Sequence, residues 1–346
     1  MKALEALRRW RDETGNTRAL VVARVVLGCL LLDSAVRAEQ ELQRGYFGDF
    51  FHWPLIPEAL VLPRTAYGAL VALQIVLGGM VIVGVRARTA LFASALANAY
   101  VLACDRLQFH HNRWALACDC LLLSLAPCDR TREGPLWAAR LAQLQVAIVY
   151  LASGSAKLLD PDWRSGRVLA TRFALYADNA VQAGIPAAWV EHARQPDVAG
   201  ALAATAITTE LLLCVTLWPR RTRAIALWWG VMFHLTIEAT SRVEGFTWLT
   251  LAMYALFAAP AIRTRAFEYE RSRALDRAAA RAIRALDWLW RFDVRPGDAG
   301  PGLVVVRVDG TRVTGLGAWA AVARCTPLLF PLWPPLAIAA AVFRRR

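Results

Sequence analysis

Lysine is nearly missing from this chain: of 40 basic residues among 346, only Lys2 and Lys157 are lysines, and all the others are arginines. Charged residues of both signs reach only 19%, below the roughly 25% of soluble domains, which excludes a charge-rich disordered chain. Histidine is equally scarce. Five in total cannot furnish the spaced boxes of a membrane di-iron oxygenase, and no metal site is expected. The seven cysteines are odd in number and include no CxxC and no zinc-like spacing, which excludes a disulfide scaffold or a zinc ribbon. Cys29, Cys104, Cys118, Cys120 and Cys214 lie within or beside apolar segments, as small core residues do. There is no low-complexity tract and no internal repeat of roughly 20–50 residues, which excludes solenoids and arrays.

What the chain does have is apolar length. Hydrophobic residues make up 57% and the mean hydropathy is positive, so the composition is that of an integral membrane protein. Segments near 19–36, 66–85, 89–105, 114–127, 137–158, 199–218, 224–239 and 245–262 approach the roughly 20 apolar residues that cross a bilayer. The expected fold is therefore an all-α polytopic membrane protein of about eight transmembrane helices. With a cytoplasmic N-terminus, Arg8/Arg9/Arg11, Arg86/Arg88, Arg130/Arg132, Arg220/Arg221/Arg223 and the stretch from Arg263 to Arg291 all fall inside, as the positive-inside rule asks. Orientation in a membrane, by this reading a bacterial inner membrane, thus accounts for the net charge of +13. Nucleic acid is not needed to explain it, because the arginines sit in short loops and form no stripe on a polar domain. The first apolar segment holds Arg24 and Asp33, with no small-x-small site close behind, and reads as a retained helix.

Four regions follow: a basic cytoplasmic lead over 1–18, the transmembrane domain over 19–262, a basic amphipathic helix over 263–293, and a small C-terminal hairpin and helix region over 294–346. The outside loop 37–65, rich in aromatics and prolines, is expected to lie on the membrane interface, and the outside loop 159–198, with Trp163, Arg164, Arg167, Arg172, Tyr176 and Trp189, suggests amphipathic helix on the same surface. The stretch "RTRAFEYERSRALDRAAARAIRALDWLWRF" reads as an amphipathic helix along the cytoplasmic face. In "GLVVVRVDGTRVTG" two β-rich runs flank Asp309-Gly310, a hairpin signal, with a short helix next at 316–325. The run "TPLLFPLWPPLAIAAAVF" contains four prolines and precedes three arginines, which favours an interfacial or re-entrant element over a crossing.

Ionisable groups at membrane depth need a partner or a function. Arg24, Asp119 and Glu210, mid-segment and without companions in sequence, are expected to make interhelical pairs. His52, the "FHHNRW" run with His110, His111 and Asn112, Lys157 with Asp160, Asp162 and Trp163, and His234 with Glu238 all map to the outer ends of helices or to outside loops. His234 and Glu238, four residues apart, share a helix side, where a carboxylate can set the imidazole's tautomer. Arginine stays charged in essentially any setting, whereas a buried lysine can lose its proton and act as a base. Lys157 is then either that base or a cation snorkelling from a helix end.

The stretch "YLASGSAKLLDPDWRSG" resembles the signature of the vitamin K-dependent gamma-carboxylase and the wider HTTM (horizontally transferred transmembrane) family: an aromatic-apolar run, Gly, Lys-Leu, an acidic residue, Trp and Gly. "ARVVLGCLLLDSAVR", "FHHNRWALACDCLLLSLAP" and "FHLTIEATSRVEGFTWLTLAMYALFAAP" follow the family's order across residues 20–260. The resemblance implies a reaction of a reduced, vitamin K-like quinone with oxygen, initiated by Lys157 as base, then proton removal and addition of carbon dioxide to a peptide or small-molecule substrate. It implies that His110 or His111 with Asn112 stabilises the intermediate, and that Trp163, His234, Glu238 and His52 line the quinol site on the outer face. Counted back from Trp163, the lysine is one residue further than in that signature. A non-catalytic accessory or immunity factor on the same scaffold is therefore the alternative. The C-terminal "VVVRVDGTRVTGLGAWAAVARCTPLLFPLWP" resembles the tail of a DCC-type thiol-disulfide oxidoreductase-like domain without its paired cysteines.

Overall fold

The computed structural model describes residues 4–5, 8, 11–44, 53–106, 109–131, 133–241, 243, 245–258, 265–297 and 303–343. The chain is mostly helical and divides into two compact units, Met1–Phe257 and Ala258–Arg346.

In the first unit a short strand, β1 (Thr14–Asn16), pairs antiparallel with β2 (Glu133–Pro135), with Gly15 opposite Gly134. Between them come α1 (Arg18–Arg44), α2 (Arg64–Val83), α3 (Ala87–Cys104) and α4 (His111–Ser124). After β2 come α5 (Trp137–Leu159), α10 (Pro196–Thr216), α11 (Arg223–Ser241) and α12 (Phe246–Leu256). Four short helices separate α5 from α10: α6 (Pro161–Arg164), α7 (Arg167–Leu175), α8 (Ala177–Gln182) and α9 (Ala187–Ala193).

A helix therefore overlaps each of the eight apolar segments, but among the described residues only four are long and apolar enough to cross a bilayer. These are Arg18–Glu39, Arg64–Val83, Ala87–Cys104 and Pro196–Thr216. The other four are shorter or carry polar groups that the bundle buries, such as Asp119 on α4, Gln143 on α5 and His234 on α11. Length and composition do not give them the lipid-facing signature of a span, because part of their surface meets protein. The core joins Leu20, Leu27 and Leu31 of α1 to Leu116 and Leu123 of α4 and to Leu213, Met253 and Leu256 of the later helices. Buried arginine serves this packing: Arg24 donates to the carbonyls of Cys128 (3.1 Å), Asp129 (2.7 Å) and Ile82 (3.2 Å). Its expected interhelical pair is thus replaced by backbone carbonyls of α2 and of the loop after α4, which take up both terminal nitrogens and leave Nε without a partner among the described residues.

The second unit holds a four-stranded sheet of order β4-β3-β5-β6. β3 (Arg265–Tyr269) runs parallel to β4 (Phe292–Pro296) through α13 (Ala274–Leu286), and β5 (Val304–Val306) and β6 (Arg312–Thr314) add as an antiparallel hairpin about Asp309-Gly310. Then follow α14 (Gly315–Cys325), a 3-10 turn over Pro327–Leu332 and α15 (Trp333–Phe343). The continuous amphipathic helix expected over 263–293 is thus corrected to strand, helix and strand. Ala280 and Ile283 of α13 pack on Phe267 and Phe292 of the sheet. A one-sided apolar face has the same period whether lipid or a sheet covers it.

Candidate functional site

Lys157 stands in the last turn of α5. Tyr150, Ser153 and Lys157 recur at intervals of three and four residues, so they share one face of that helix. The helix stops because Asp160 takes an extended conformation and caps α6, accepting the Asp162 N–H at 2.8 Å, with Pro161 at the first helical position. Asp160 is thereby committed to the turn. The turn carries Trp163 back over the helix end, and the Lys157 ammonium lies 5.1 Å from the centre of its ring.

The lysine's polar partners are Ser153 Oγ at 2.5 Å and both oxygens of Glu210 at 2.7 Å. Glu210, on α10, is 3% exposed. Gly154 makes this contact possible, since a Cβ there would sit 3.3 Å from Glu210 Cβ and 2.9 Å from a Leu211 methyl. Next to Glu210 in sequence, Thr209 Oγ1 accepts the indole N–H of Trp229 of α11 at 3.0 Å. A second close approach anchors the short helices: Gly166 has φ +78°, and a Cβ on it would fall 2.7 Å from Gly200 Cα and closer still to the neighbouring backbone. Gly166→Ala combines left-handed strain with a backbone clash. It is expected to lower the unfolding free energy by at least about 1–3 kcal/mol, measurable by thermal unfolding in detergent, whereas Gly184→Ala, with the same handedness but open space, should show the strain alone.

One turn below Ser153, Tyr150 begins a buried polar line. Its hydroxyl meets His234 Nε2 at 2.6 Å and also bonds the hydroxyl of Tyr254. His234 is fully buried on α11, ringed by Phe233, Phe246, Tyr150 and Tyr254, and its carbonyl accepts from Thr247 Oγ1 at 3.1 Å. The line can order its protons in two ways. Tyr254 can donate to Tyr150 and Tyr150 to His234, or His234 Nε2–H can donate to Tyr150 and Tyr150 to Tyr254. In either order His234 Nδ1 lacks a hydrogen-bond partner among the described residues, as does buried Oε2 of Glu238 one turn further along α11. The two charges of the ion pair reach this line, Glu210 acting on both tyrosines and Lys157 on His234.

The residues expected at a site thus divide. Lys157 and Trp163 come together, and His234 joins the same region through Tyr150. His234 and Glu238 share a helix side but make no hydrogen bond to each other among the described residues. His110 caps α4, its Nδ1 accepting the Asn112 N–H at 3.3 Å, and His111 is exposed, edge-on to Phe109 at 5.5 Å. Neither histidine hydrogen-bonds Lys157 among the described residues. Asn112 instead lines a small cavity of about 20 Å³ with Asp33, Ser34 and Arg113. His52 lies outside the described residues. Among the described residues no group of three or more His, Cys, Asp or Glu side chains could hold a metal ion.

Glu210, Tyr150, Tyr254 and Ser153 were not among the expected site residues. Glu210 carried a signal, being the lone carboxylate in the interior of an apolar helix in a chain whose only membrane-depth lysine needs a counter-ion. Tyr150 carried a weaker one, at helical spacing from Lys157. A family model described as HTTM domain matches residues 13–261. No curated protein and no solved structure matches the chain.

Proposed function

The chain belongs to the HTTM domain family, and from that membership we propose that it is a gamma-carboxylase-like membrane enzyme in which Lys157 and Glu210 together take a proton from a reduced quinone. The observation that carries this reading is the Lys157–Glu210 pair at 2.7 Å, walled by Trp163 and adjoining the Tyr150–His234–Tyr254 line. We also assign eight crossings with a cytoplasmic N-terminus and the pair towards the outer face. In support, the four helices that fall short of a span keep Asp119, Gln143 and His234 inside the bundle, as intramembrane polar groups require.

The residues fit a flat amphipathic ring. His234 Nδ1 and Glu238 Oε2 are buried and without a hydrogen-bond partner among the described residues, and aromatic rings surround the first of them. When bound, a reduced quinone supplies an ionisable hydroxyl and the electrons that oxygen takes up. The chain's own contribution is proton handling and charge stabilisation. The Glu210 carboxylate and the Lys157 amine are within hydrogen-bond distance, so a proton taken up by either can be shared across the pair. The ammonium form stabilises negative charge developing beside it in a water-poor setting, and Trp163 holds it over a ring face. Reversing the Tyr254–Tyr150–His234 line passes one proton from Tyr254 to Tyr150 and one from Tyr150 to His234 Nε2, and it balances when His234 Nδ1 gives up its own proton and Tyr254 takes up another.

The test supplies membranes containing the protein with reduced quinone, oxygen and labelled carbon dioxide, and measures quinone epoxide and incorporated label. Lys157→Ala and Glu210→Gln are each expected to lower epoxide formation by about 10²–10⁴-fold, the usual weight of a positioned acid or base. Equal product from wild type and Lys157→Ala would sink the reading.

A further inference from the structure

A cavity of about 770 Å³ lies within residues 265–341 of the second unit. That volume is in the range of ligand sites. Three guanidinium groups line it: Arg265 at the start of β3, Arg307 before the β5–β6 turn, and Arg324 near the end of α14. Among the described residues neither Arg307 nor Arg324 has a carboxylate within ion-pair distance. Arg324 is held at the wall by Trp333, its guanidinium 5.0 Å from the ring centre. The one lining carboxylate among the described residues, Asp309, accepts the Thr311 N–H at 3.0 Å, and that bond keeps its carboxyl below the ordinary range. Against Arg307 and Arg324 alone it leaves the described lining net positive.

The rest of the lining has the opposite character. Ala320 of α14 and Ala337 of α15 belong to a floor of small apolar side chains. Beyond the floor, α15 exposes Ile338, Val342 and Phe343 by more than half, an apolar surface continuous with the cavity along one helix. Planar guanidinium groups match phosphate oxygens in a forked geometry, while an alanine floor offers only dispersion and burial of hydrocarbon. A small inorganic anion would use the arginines and waste the floor, and a neutral apolar ligand would leave the arginines uncompensated.

We infer that this cavity binds an amphiphile with a net-anionic phosphate-monoester head, held by Arg307 and Arg324, and an apolar tail lying on the alanine floor. Phospholipid and free phosphate share the head chemistry, and the tail separates them.

The experiment uses the full chain in a neutral amphipol and measures the affinity of three probes: dihexanoyl phosphatidic acid, dihexanoyl phosphatidylcholine and inorganic phosphate. The phosphatidic acid is expected to bind at least tenfold more tightly than either of the others. The double variant Arg307→Gln/Arg324→Gln should weaken it about 100-fold, about tenfold for each charge-assisted contact. Ala337→Leu, which fills the floor, should weaken the lipid while leaving inorganic phosphate unchanged. Equal binding of phosphatidic acid and phosphatidylcholine overturns the inference, and so does double-variant affinity within threefold of wild type. Inorganic phosphate as tight as the lipid also overturns it, by reducing the cavity to a small-anion site. Both arginines are exposed, so their replacement leaves the core intact, and the three-probe comparison on the unaltered chain decides the matter without any variant.

Discussion

Replacing Lys157 with alanine is expected to destabilise the protein by about 3–5 kcal/mol, because it leaves the Glu210 carboxylate buried and without its counter-ion. Glu210 is 3% exposed, and its recorded partner is the Lys157 ammonium at 2.7 Å. Glu210→Gln should cost less, since the lysine side chain keeps 18% exposure and retains Ser153, so the ammonium can turn part of its donors to water or headgroups. The double change Lys157→Met/Glu210→Gln removes both charges and should recover much of the loss, because a buried pair replaced by neutral groups of similar volume is often no less stable than the pair. The measurement is a double-mutant cycle of Lys157→Met, Glu210→Gln and the two together, on unfolding free energy in detergent. A coupling energy near zero would show that the two side chains do not interact in the folded protein.

The cycle separates two roles that a single assay confuses. Loss of epoxide formation in Lys157→Ala could follow from a missing base or from a disturbed fold. The Lys157→Met/Glu210→Gln protein answers this, because the proposal expects it to be near wild type in stability and inactive. Activity in that protein would remove the acid–base assignment while leaving the structural pair intact.

Much of this was legible before any coordinates. The eight helices coincide with eight apolar runs because burial in lipid or in a bundle demands the same composition over the same length. The hairpin about Asp309-Gly310 was legible because Gly310, at φ +81°, supplies a left-handed position that few residues tolerate. Trp163 beside Lys157 could be read from local spacing, since a capping Asp and a Pro at the start of α6 fix the turn between them. Glu210 could not be read in the same way. It lies 53 positions from Lys157, and no local period announces which helix packs against which. The same limit applies to Tyr254, 104 positions from Tyr150. The stretch 263–293 misled for a different reason: its helical part is amphipathic, but the apolar face covers Phe267 and Phe292 of its own unit, and pattern alone does not name the covering surface. His110 is placed as the cap of α4, and its sequence context did not announce that use of the ring.

The buried line gives the second large effect. Gly230 on α11 faces Tyr254, and a Cβ at that position would fall 2.7 Å from Tyr254 Cζ and closer still to its hydroxyl. Gly230→Ala therefore cannot be accepted without moving the tyrosine ring, which is held in the closely packed interior by His234 at 6.1 Å between ring centres and by the Tyr150 hydroxyl. Overpacking of this kind costs about 1–3 kcal/mol, and the displaced hydroxyl breaks the line at its Tyr254 end. Tyr254→Phe removes the same hydroxyl without adding volume, at about 1 kcal/mol for the lost hydrogen bond. If the line carries protons for the Lys157–Glu210 pair, both variants should lose activity to a similar extent while Gly230→Ala loses more stability. The combined Gly230→Ala/Tyr254→Phe protein should then be more stable than the sum of the two single effects predicts, because the atom nearest the added methyl is gone. Strict additivity in unfolding free energy would place the methyl group elsewhere than against Tyr254. Full activity in Tyr254→Phe would confine proton handling to Lys157, Glu210, Tyr150 and His234.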